Sequence, residues 1–527
     1  MQEAPMSGWQ RLTAVLAVAA IVVGLSMLLR AERGLSIVHT EVDGIPVTVF
    51  APRDAPPAPA VLIGHGFAGS RQLMHPFAVT LARNGYVAVT FDFPGHGRNR
   101  TPLAGTLGEP ERAEALLDAF SRVARYARSL PASDGRLATL GHSMAGDILV
   151  RYADIDPDVD AAVAVSPYLS RELGAEGQRN LLFVFGEYEP AMISDQAREA
   201  VAALAGKSPE DIELGVTYSA ARADARDDAA TGDPSAANAR RMIIADGVEH
   251  IGVLYSAVSQ QAALDWINRV YGRTGEGTGM IDARGPWLGL FYLGVLLLAW
   301  PLSTLLPRVA PQPRGAALGW SRLLPLALVP ALLTPLMLRP IPSDFLPIVI
   351  GDYIALHFGL YGLLTLCGLW LVGERPARLW QGVSGGAMLL AVLAVGLYET
   401  ALVTLPTDRF VSAYLPGSDR LATVLVLFAG TLLWFVADEW LTRGGRARGV
   451  YALTKVLFVV SLMLAVALNM NELFFLVIII PAILALFIIY GLFSGWIYRR
   501  TNYPLVAAVT SALAFASAIT VSFPMIG

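Results

Sequence analysis

The apolar positions fall into two regimes along the chain. Leu12 to Leu29 is one unbroken apolar run, long enough to span a bilayer. From about residue 31 to 272 the apolar stretches become short and alternate with amphipathic ones. Ser36–Thr40 and Pro46–Phe50, separated by Asp43-Gly44, predict a hairpin. Short buried strands are predicted at Ala60–Ile63, Val87–Phe91, Arg136–Leu140, Ala161–Val165, Leu181–Phe185 and Arg241–Ile244. Helical patterns fill about 71–84, 110–130 and 251–271. Strands alternating with helices imply a mostly parallel sheet covered on both faces. The glycine-rich stretch from Gly272 to Gly279 reads as a linker. Apolar runs then return, near 287–306, 318–338, 345–372, 381–405, 421–441, 451–470, 473–498 and 504–524.

This pattern divides the chain into an N-terminal transmembrane signal anchor (1–30), an α/β domain (31–272), a linker (273–286) and an all-α, multi-pass transmembrane domain of about eight helices (287–527). A cleaved signal peptide is the alternative reading of the first run, but no small-residue cleavage site follows it convincingly. Composition agrees with a membrane protein: 54% of the 527 residues are hydrophobic, 16% are charged, and the mean hydropathy is +0.52. A net charge of −4 gives no sign of nucleic-acid binding. The single cysteine, Cys367, excludes a disulfide framework and a thiolate metal site. No phosphate loop, dinucleotide fingerprint or metal-ligand cluster is present, so neither a cofactor nor a metal is expected.

Loop charge predicts orientation. Arginines concentrate in alternate loops, at Arg308/Arg314, Arg375/Arg378, Arg443/Arg446/Arg448 and Arg499/Arg500. The positive-inside rule makes these loops cytoplasmic. The N-terminus is then cytoplasmic, and the α/β domain periplasmic or extracellular. Basic residues are almost all arginine, with Lys207 and Lys455 the exceptions, and alanine is abundant. That composition suggests a GC-rich bacterial source, and so a bacterial inner (cell) membrane.

The candidate chemistry centres on Gly141-His142-Ser143-Met144-Ala145-Gly146, between a strand and a helix. A serine flanked by small residues at such a turn is the nucleophile-elbow pattern. The turn is sharp enough to press together the residues two before and two after the serine, so large side chains there would collide. It also puts the hydroxyl at a helix N-terminus, where free N–H groups can hold an oxyanion. The usual second glycine is here Ala145, with Gly146 one place later.

The elbow is accompanied by His65-Gly66-Phe67, Asp92-Phe93-Pro94-Gly95-His96-Gly97, Gly186-Glu187-Tyr188-Glu189-Pro190 and Gly247-Val248-Glu249-His250. With these motifs the domain resembles the α/β-hydrolase superfamily, in the style of its compact esterase and dienelactone-hydrolase-like members. The resemblance covers about residues 36–271. It implies a triad in the chain order serine, acid, histidine, with Ser143 as nucleophile, His250 as base and Glu189, three residues after Gly186, as acid. Glu187 and Asp195 compete for the acid position. It also implies an oxyanion hole from the backbone N–H groups of Phe67 and Met144. His65, His142, Asp92 and His96 are read as braces for the loops. Residues 207–240, between acid and histidine, read as an exposed polar loop or helix.

In the apolar half Asp352, His357 and Glu399 stand out, because charge inside a span is costly and often functional. Interhelical hydrogen bonding or simple interfacial placement is the plainer reading of the three. Asp438 and Glu439 read as ordinary helix-end charges. The expected function is a membrane-embedded serine hydrolase that cleaves a carboxylic ester or related acyl bond through an acyl-serine intermediate. Its expected partners are a small-molecule or lipid-like acyl substrate and the lipid bilayer; a homo-oligomer stays open. The alternatives are an acyltransferase with the same triad, or a transporter or sensor whose hydrolase-like domain is a gate or receptor.

Overall fold

The computed structural model describes residues 6–105, 109–174, 180–219, 238–273, 277–375, 377–445 and 447–527. They form two compact units. One comprises Met1–Val23, Leu290–Pro406 and Tyr414–Phe523; the other comprises Gly24–Gly289, Thr407–Ala413 and Pro524–Gly527.

The second unit is built on a nine-stranded sheet in the order β1-β2-β4-β3-β5-β6-β7-β9-β8. The strands are β1 (Leu35–Val42), β2 (Ile45–Pro52), β3 (Ala58–Gly64), β4 (Val87–Phe91), β5 (Ser133–His142), β6 (Val159–Val165), β7 (Leu181–Gly186), β8 (Thr217–Ser219) and β9 (Ala239–Ala245). β1 and β2 form the hairpin expected around Asp43-Gly44, which take φ +50° and +80°. From β4 to β9 the neighbours run parallel. β8 pairs antiparallel with β9 and closes the edge.

β8 lies in the stretch read from sequence as an exposed polar loop or helix. A three-residue strand is too short to show a period, and only its pairing with β9 defines it. Residues 220–237 of that stretch lie outside the described residues, and its last two, Ala239 and Arg240, open β9.

Strand residues alternate between two cores, as a period of two requires. Ala60 and Leu62 of β3 join Phe91, Phe120 and Leu149 on one face. Val61 and Ile63 join Phe77, Leu81 and Trp266 on the other. The first face is covered by α3 (Pro110–Ser129), α4 (Met144–Ile155) and α5 (Ala191–Ala205); the second by α2 (His75–Arg83) and α6 (Ala257–Val270). The architecture is thus an α/β sandwich with helices on both faces.

Among the described residues, nine helices are long and apolar enough to cross a membrane: Gly8–Ala31, Gly285–Ser303, Trp320–Leu338, Gly351–Leu371, Gly385–Phe410, Ser418–Thr442, Val450–Leu468, Phe475–Thr501 and Leu505–Ser522. Within the first unit, Gly351–Leu371 and Ser418–Thr442 approach so closely that a Cβ on Gly362 would lie 2.4 Å from Trp434 N, and one on Gly430 2.4 Å from Ala355 O. Small residues allow such backbone contact where no hydrophobic drive favours one apolar helix over lipid.

Asp438 and Glu439 depart from the helix-end reading. Both are buried. Asp438 pairs with Lys455, and Glu439 with Arg443 at 3.0 Å, Tyr451 Oη at 2.7 Å and Ser494 Oγ at 2.6 Å. Their partners lie on other helices or one turn later, so the linear pattern around them looks merely terminal.

Candidate active site

The site grows from the end of β5. Ser143 takes φ +51° and ψ −112°, a backbone conformation that L residues adopt only when their surroundings enforce it. Its N–H donates to Val165 O of β6 (2.9 Å), and Gly146 N–H closes back on Ser143 O (2.9 Å). A Cβ on Gly141 would lie 2.6 Å from Ala145 O, so the strand side of the elbow demands glycine. On the helix side the demand falls on Gly146, whose added Cβ would strike Pro167 at 2.5 Å. Ala145 is accommodated because its methyl faces Gly64 of β3.

Phe67 follows the end of β3. A Cβ on Gly66 would meet Ser143 Cβ at 3.1 Å and His142 Nδ1 at 2.8 Å, so this loop lies directly against the elbow. Met144 is the first residue of α4, and its N–H belongs to the unsatisfied first turn of that helix. The loop that carries Phe67 and the first turn of α4 thus both adjoin Ser143.

The structure brings Glu189 and His250 together, with Glu189 Oε2 2.9 Å from His250 Nδ1. The other carboxylate oxygen accepts Ser166 Oγ–H (2.5 Å) and Gly186 N–H (2.7 Å). Burial works against the charge of this carboxyl, but the hydrogen bonds from His250, Ser166 and Gly186 outweigh it and hold Glu189 below the usual glutamate range. The competitors sit elsewhere. Glu187 accepts Gly247 N–H (2.7 Å), and Asp195 is exposed on α5. Ser166 was missed in the sequence. Its place directly after the apolar strand Ala161–Val165 is the available signal; its φ of +46° is not legible.

His142, His65 and Asp92 brace the loops. His142 Nε2–H donates to His250 O (2.9 Å), tying His250 to the residue before Ser143. Burial, then the neighbouring His250, pushes the His142 imidazole down to about 3. His65 Nδ1–H donates to Gly66 O (2.8 Å), its Nε2 accepts Phe93 N–H (3.1 Å), and burial lowers its basicity. Asp92 is fully buried. It pairs with Arg71 and accepts the N–H groups of Arg71 (2.8 Å) and Arg98 (3.0 Å).

In the other unit, Asp352, His357 and Glu399 occupy separate surroundings. Asp352 accepts the N–H groups of Tyr353 (2.9 Å) and Phe345 (3.0 Å). His357 Nε2 meets Ser461 Oγ at 3.1 Å. Glu399 is buried just before a π-helical turn, Thr400–Thr404. Among the described residues no hydrogen bond joins any two of the three, and no group of three or more His, Cys, Asp or Glu is arranged to hold a metal ion.

A family model described as serine aminopeptidase, S33, matches residues 55–238. Cutinase 1 of Thermobifida cellulosilytica is 31% identical over 125 residues, which is 23% of this chain and 44% of the cutinase. A cutinase of Thermobifida fusca (strain YX) is 31% identical over 125 residues, 23% of this chain and 38% of that protein. The chain thus spans less than half the length of these curated relatives. Similar solved structures include a CIB-like hydrolase from Thermoplasma acidophilum, at 16% identity and TM-score 0.32, covering 45% of this chain and 98% of that one. A dienelactone hydrolase from Anabaena variabilis matches at 15% identity and TM-score 0.29, covering 44% and 96%. The sheet order, the strained serine at its strand-to-helix turn and the family match agree: the unit is a domain of the α/β-hydrolase superfamily, on a chain whose described residues include nine long apolar helices.

Proposed function

We propose that the protein is a membrane-embedded serine hydrolase acting on carboxylic esters. The observation that carries this reading is the 2.9 Å contact between Glu189 and His250 beside the strained Ser143 elbow. Ser143 Oγ attacks the acyl carbon while His250 Nε2 takes the hydroxyl proton. Glu189 holds the Nδ1–H tautomer and stabilises the imidazolium. The N–H groups of Phe67 and Met144 hold the oxyanion. The carbon–oxygen bond to the alcohol breaks, and the leaving oxygen takes the proton from His250. Water, deprotonated by His250, then attacks acyl-Ser143; the acyl–Oγ bond breaks, Oγ regains the proton from His250, and the carboxylic acid is released.

The cutinase names favour an ester over the amide that the S33 description suggests. Exposed Tyr168, Tyr188 and Ile251, on loops after β6, β7 and β9, and Met192 in the first turn of α5, favour a lipid-like or hydrophobic acyl substrate. The nine apolar helices support a multi-pass protein of a bacterial inner membrane, and the alternating arginine loops support a periplasmic or extracellular hydrolase domain. Asp352, His357 and Glu399 serve as polar positions within the membrane domain.

The test is covalent labelling of the full-length protein in detergent with a fluorophosphonate, followed by a panel of p-nitrophenyl esters and peptide anilides. Ser143-dependent labelling with ester turnover is expected. Absence of both from wild type would refute the assignment. A rise in product ester with added alcohol would instead identify an acyltransferase.

A further inference from the structure

The turn that presents Phe67 is tight. Gly69 N–H donates to Gly66 O at 3.1 Å, and Ala68 takes φ +58°. One end of the turn is fixed by β3. The other end runs out through Ser70, Arg71 and Gln72, all buried. Arg71 is held by Asp92. The partners of the other two lie far away in sequence. Ser70 Oγ accepts Ala413 N–H at 2.9 Å and lies 3.1 Å from Ser412 Oγ. Gln72 Nε2 donates to Asp408 O at 3.2 Å. These contacts bridge 343, 342 and 336 positions of chain.

The same segment reaches the loop after β4, where Arg98 pairs with the Asp408 carboxylate at 2.5 Å. That loop is also gripped by the C-terminal residues. Met525 N–H donates to Gly95 O at 2.8 Å, and Leu103 N–H donates to Met525 O at 2.8 Å. A Cβ on Gly95 would lie 2.4 Å from Met525 O, so glycine here is what admits the strand-like tail. Between Gly95 and Leu103 the loop carries His96, whose ring meets Phe67 edge-on at 5.7 Å and His65 at 5.3 Å. Both loops that back the Phe67 turn therefore end on Thr407–Ala413 or Pro524–Gly527, which belong to the same compact unit as the sheet.

We propose that Thr407–Ala413 and Pro524–Gly527 are positioning segments of the hydrolase site, bracing the turn that aims Phe67 N–H at the oxyanion. The inference rests on the oxyanion role assigned to Phe67 above. The physical reason is geometric. An oxyanion donor stabilises the transition state only if it is held at hydrogen-bond distance before reaction, and a displacement of about 1 Å costs roughly 100-fold in rate. The Ser70–Ala413 hydrogen bond is buried on both sides, so no water replaces it cheaply when it is lost. Both segments lie outside residues 55–238, the stretch shared with the S33 family model. Here the catalytic turn is completed by chain that follows the family stretch.

The experiment uses the full-length protein in detergent and a short p-nitrophenyl ester. Ser70→Ala removes the acceptor for Ala413 N–H, and deletion of residues 524–527 removes the tail. Each is expected to lower kcat by roughly 10- to 100-fold with KM within about twofold of wild type. Binding of a boronic acid that mimics the tetrahedral intermediate should weaken in parallel. Ser70→Thr, which keeps the hydroxyl, should restore most of kcat. A general loss of packing would lower the active fraction, and apparent kcat with it, but leave both KM and the boronic acid affinity unchanged, so weakened boronate binding is the readout that marks positioning. Wild-type turnover that depends on Ser143, with kcat undiminished in the deletion and in Ser70→Ala, overturns this proposal alone. Lack of Ser143-dependent turnover in wild type overturns it together with the hydrolase assignment. If Ser70→Ala does not accumulate, the deletion decides by itself.

Discussion

Gly64 and Ala145 share one small space: a Cβ on Gly64 would lie 2.8 Å from the methyl of Ala145. The alanine that stands where nucleophile elbows usually carry glycine is thus matched by a glycine on the neighbouring strand. Phe93 seals the same space, 3.2 Å from that Cβ position. Gly64→Ala should destabilise the protein by about 1–3 kcal/mol, the ordinary cost of overpacking. Ala145→Gly in the same chain should restore most of the loss. A double-mutant cycle on thermal unfolding checks this, and additive effects would show that the two positions do not share the space.

The carboxylate geometry predicts an order of effects. Ser143→Ala and His250→Ala should lower kcat/KM by several orders of magnitude, as loss of a triad member does in serine hydrolases. Glu189→Gln should cost less than either. Glu187→Gln should stay near wild type, because that side chain holds the Gly247 turn. Ser166→Ala should fall between Glu189→Gln and wild type, since it removes one of three hydrogen bonds to the Glu189 carboxylate. Steady-state kinetics on one ester orders the five variants, and a larger loss in Glu187→Gln than in Glu189→Gln would reverse the acid assignment.

His142 makes the fold acid-sensitive. Its imidazole titrates near 6.5 when unfolded and about 3 when buried in the native state. Between those values the unfolded chain binds a proton that the folded chain does not. Stability therefore falls as pH drops from about 6.5 towards 3, by about 1.4 kcal/mol per pH unit for one proton. His142→Asn should flatten the dependence by one proton. Thermal midpoints of both proteins from pH 4 to 7 check the sign and the slope.

The buried Asp438–Lys455 pair should respond asymmetrically. Removing one partner, as in Lys455→Met, leaves an uncompensated buried charge and should cost about 3–5 kcal/mol. Replacing both, as Asp438→Leu with Lys455→Met, should recover most of the stability. Detergent-solubilised thermal stability separates the single from the double variant.

Orientation can be read with an impermeant thiol reagent. In a Cys367→Ser background, Ser208→Cys lies in the hydrolase unit and Arg448→Cys in an arginine-rich loop; both positions are exposed. Intact spheroplasts should label the first, and only lysed cells the second. The opposite pattern would place the hydrolase domain in the cytoplasm.

Much of this protein was legible in its linear pattern, for a local reason. A strand of period two, a helix of period 3.6 and a span of about 20 apolar residues each announce themselves within a short window. The hairpin at Asp43-Gly44, the strands of the parallel sheet and the long apolar helices all have that signature. So does the elbow on its strand side, because the crowding that demands glycine at Gly141 comes from its near neighbour Ala145, whereas that at Gly146 comes from Pro167. What only the tertiary structure decided involves partners distant in sequence. The choice of Glu189 over Glu187 depends on which carboxylate the end of β7 turns towards His250, 61 positions away. Ser166, the compensation of Ala145 by Gly64 and the pairing of Asp438 with Lys455 each need two segments that no local pattern connects. The hold of Ala413 on Ser70 is the extreme case: a buried N–H and a buried hydroxyl, each ordinary in its own stretch of sequence, find in each other the partner that burial requires.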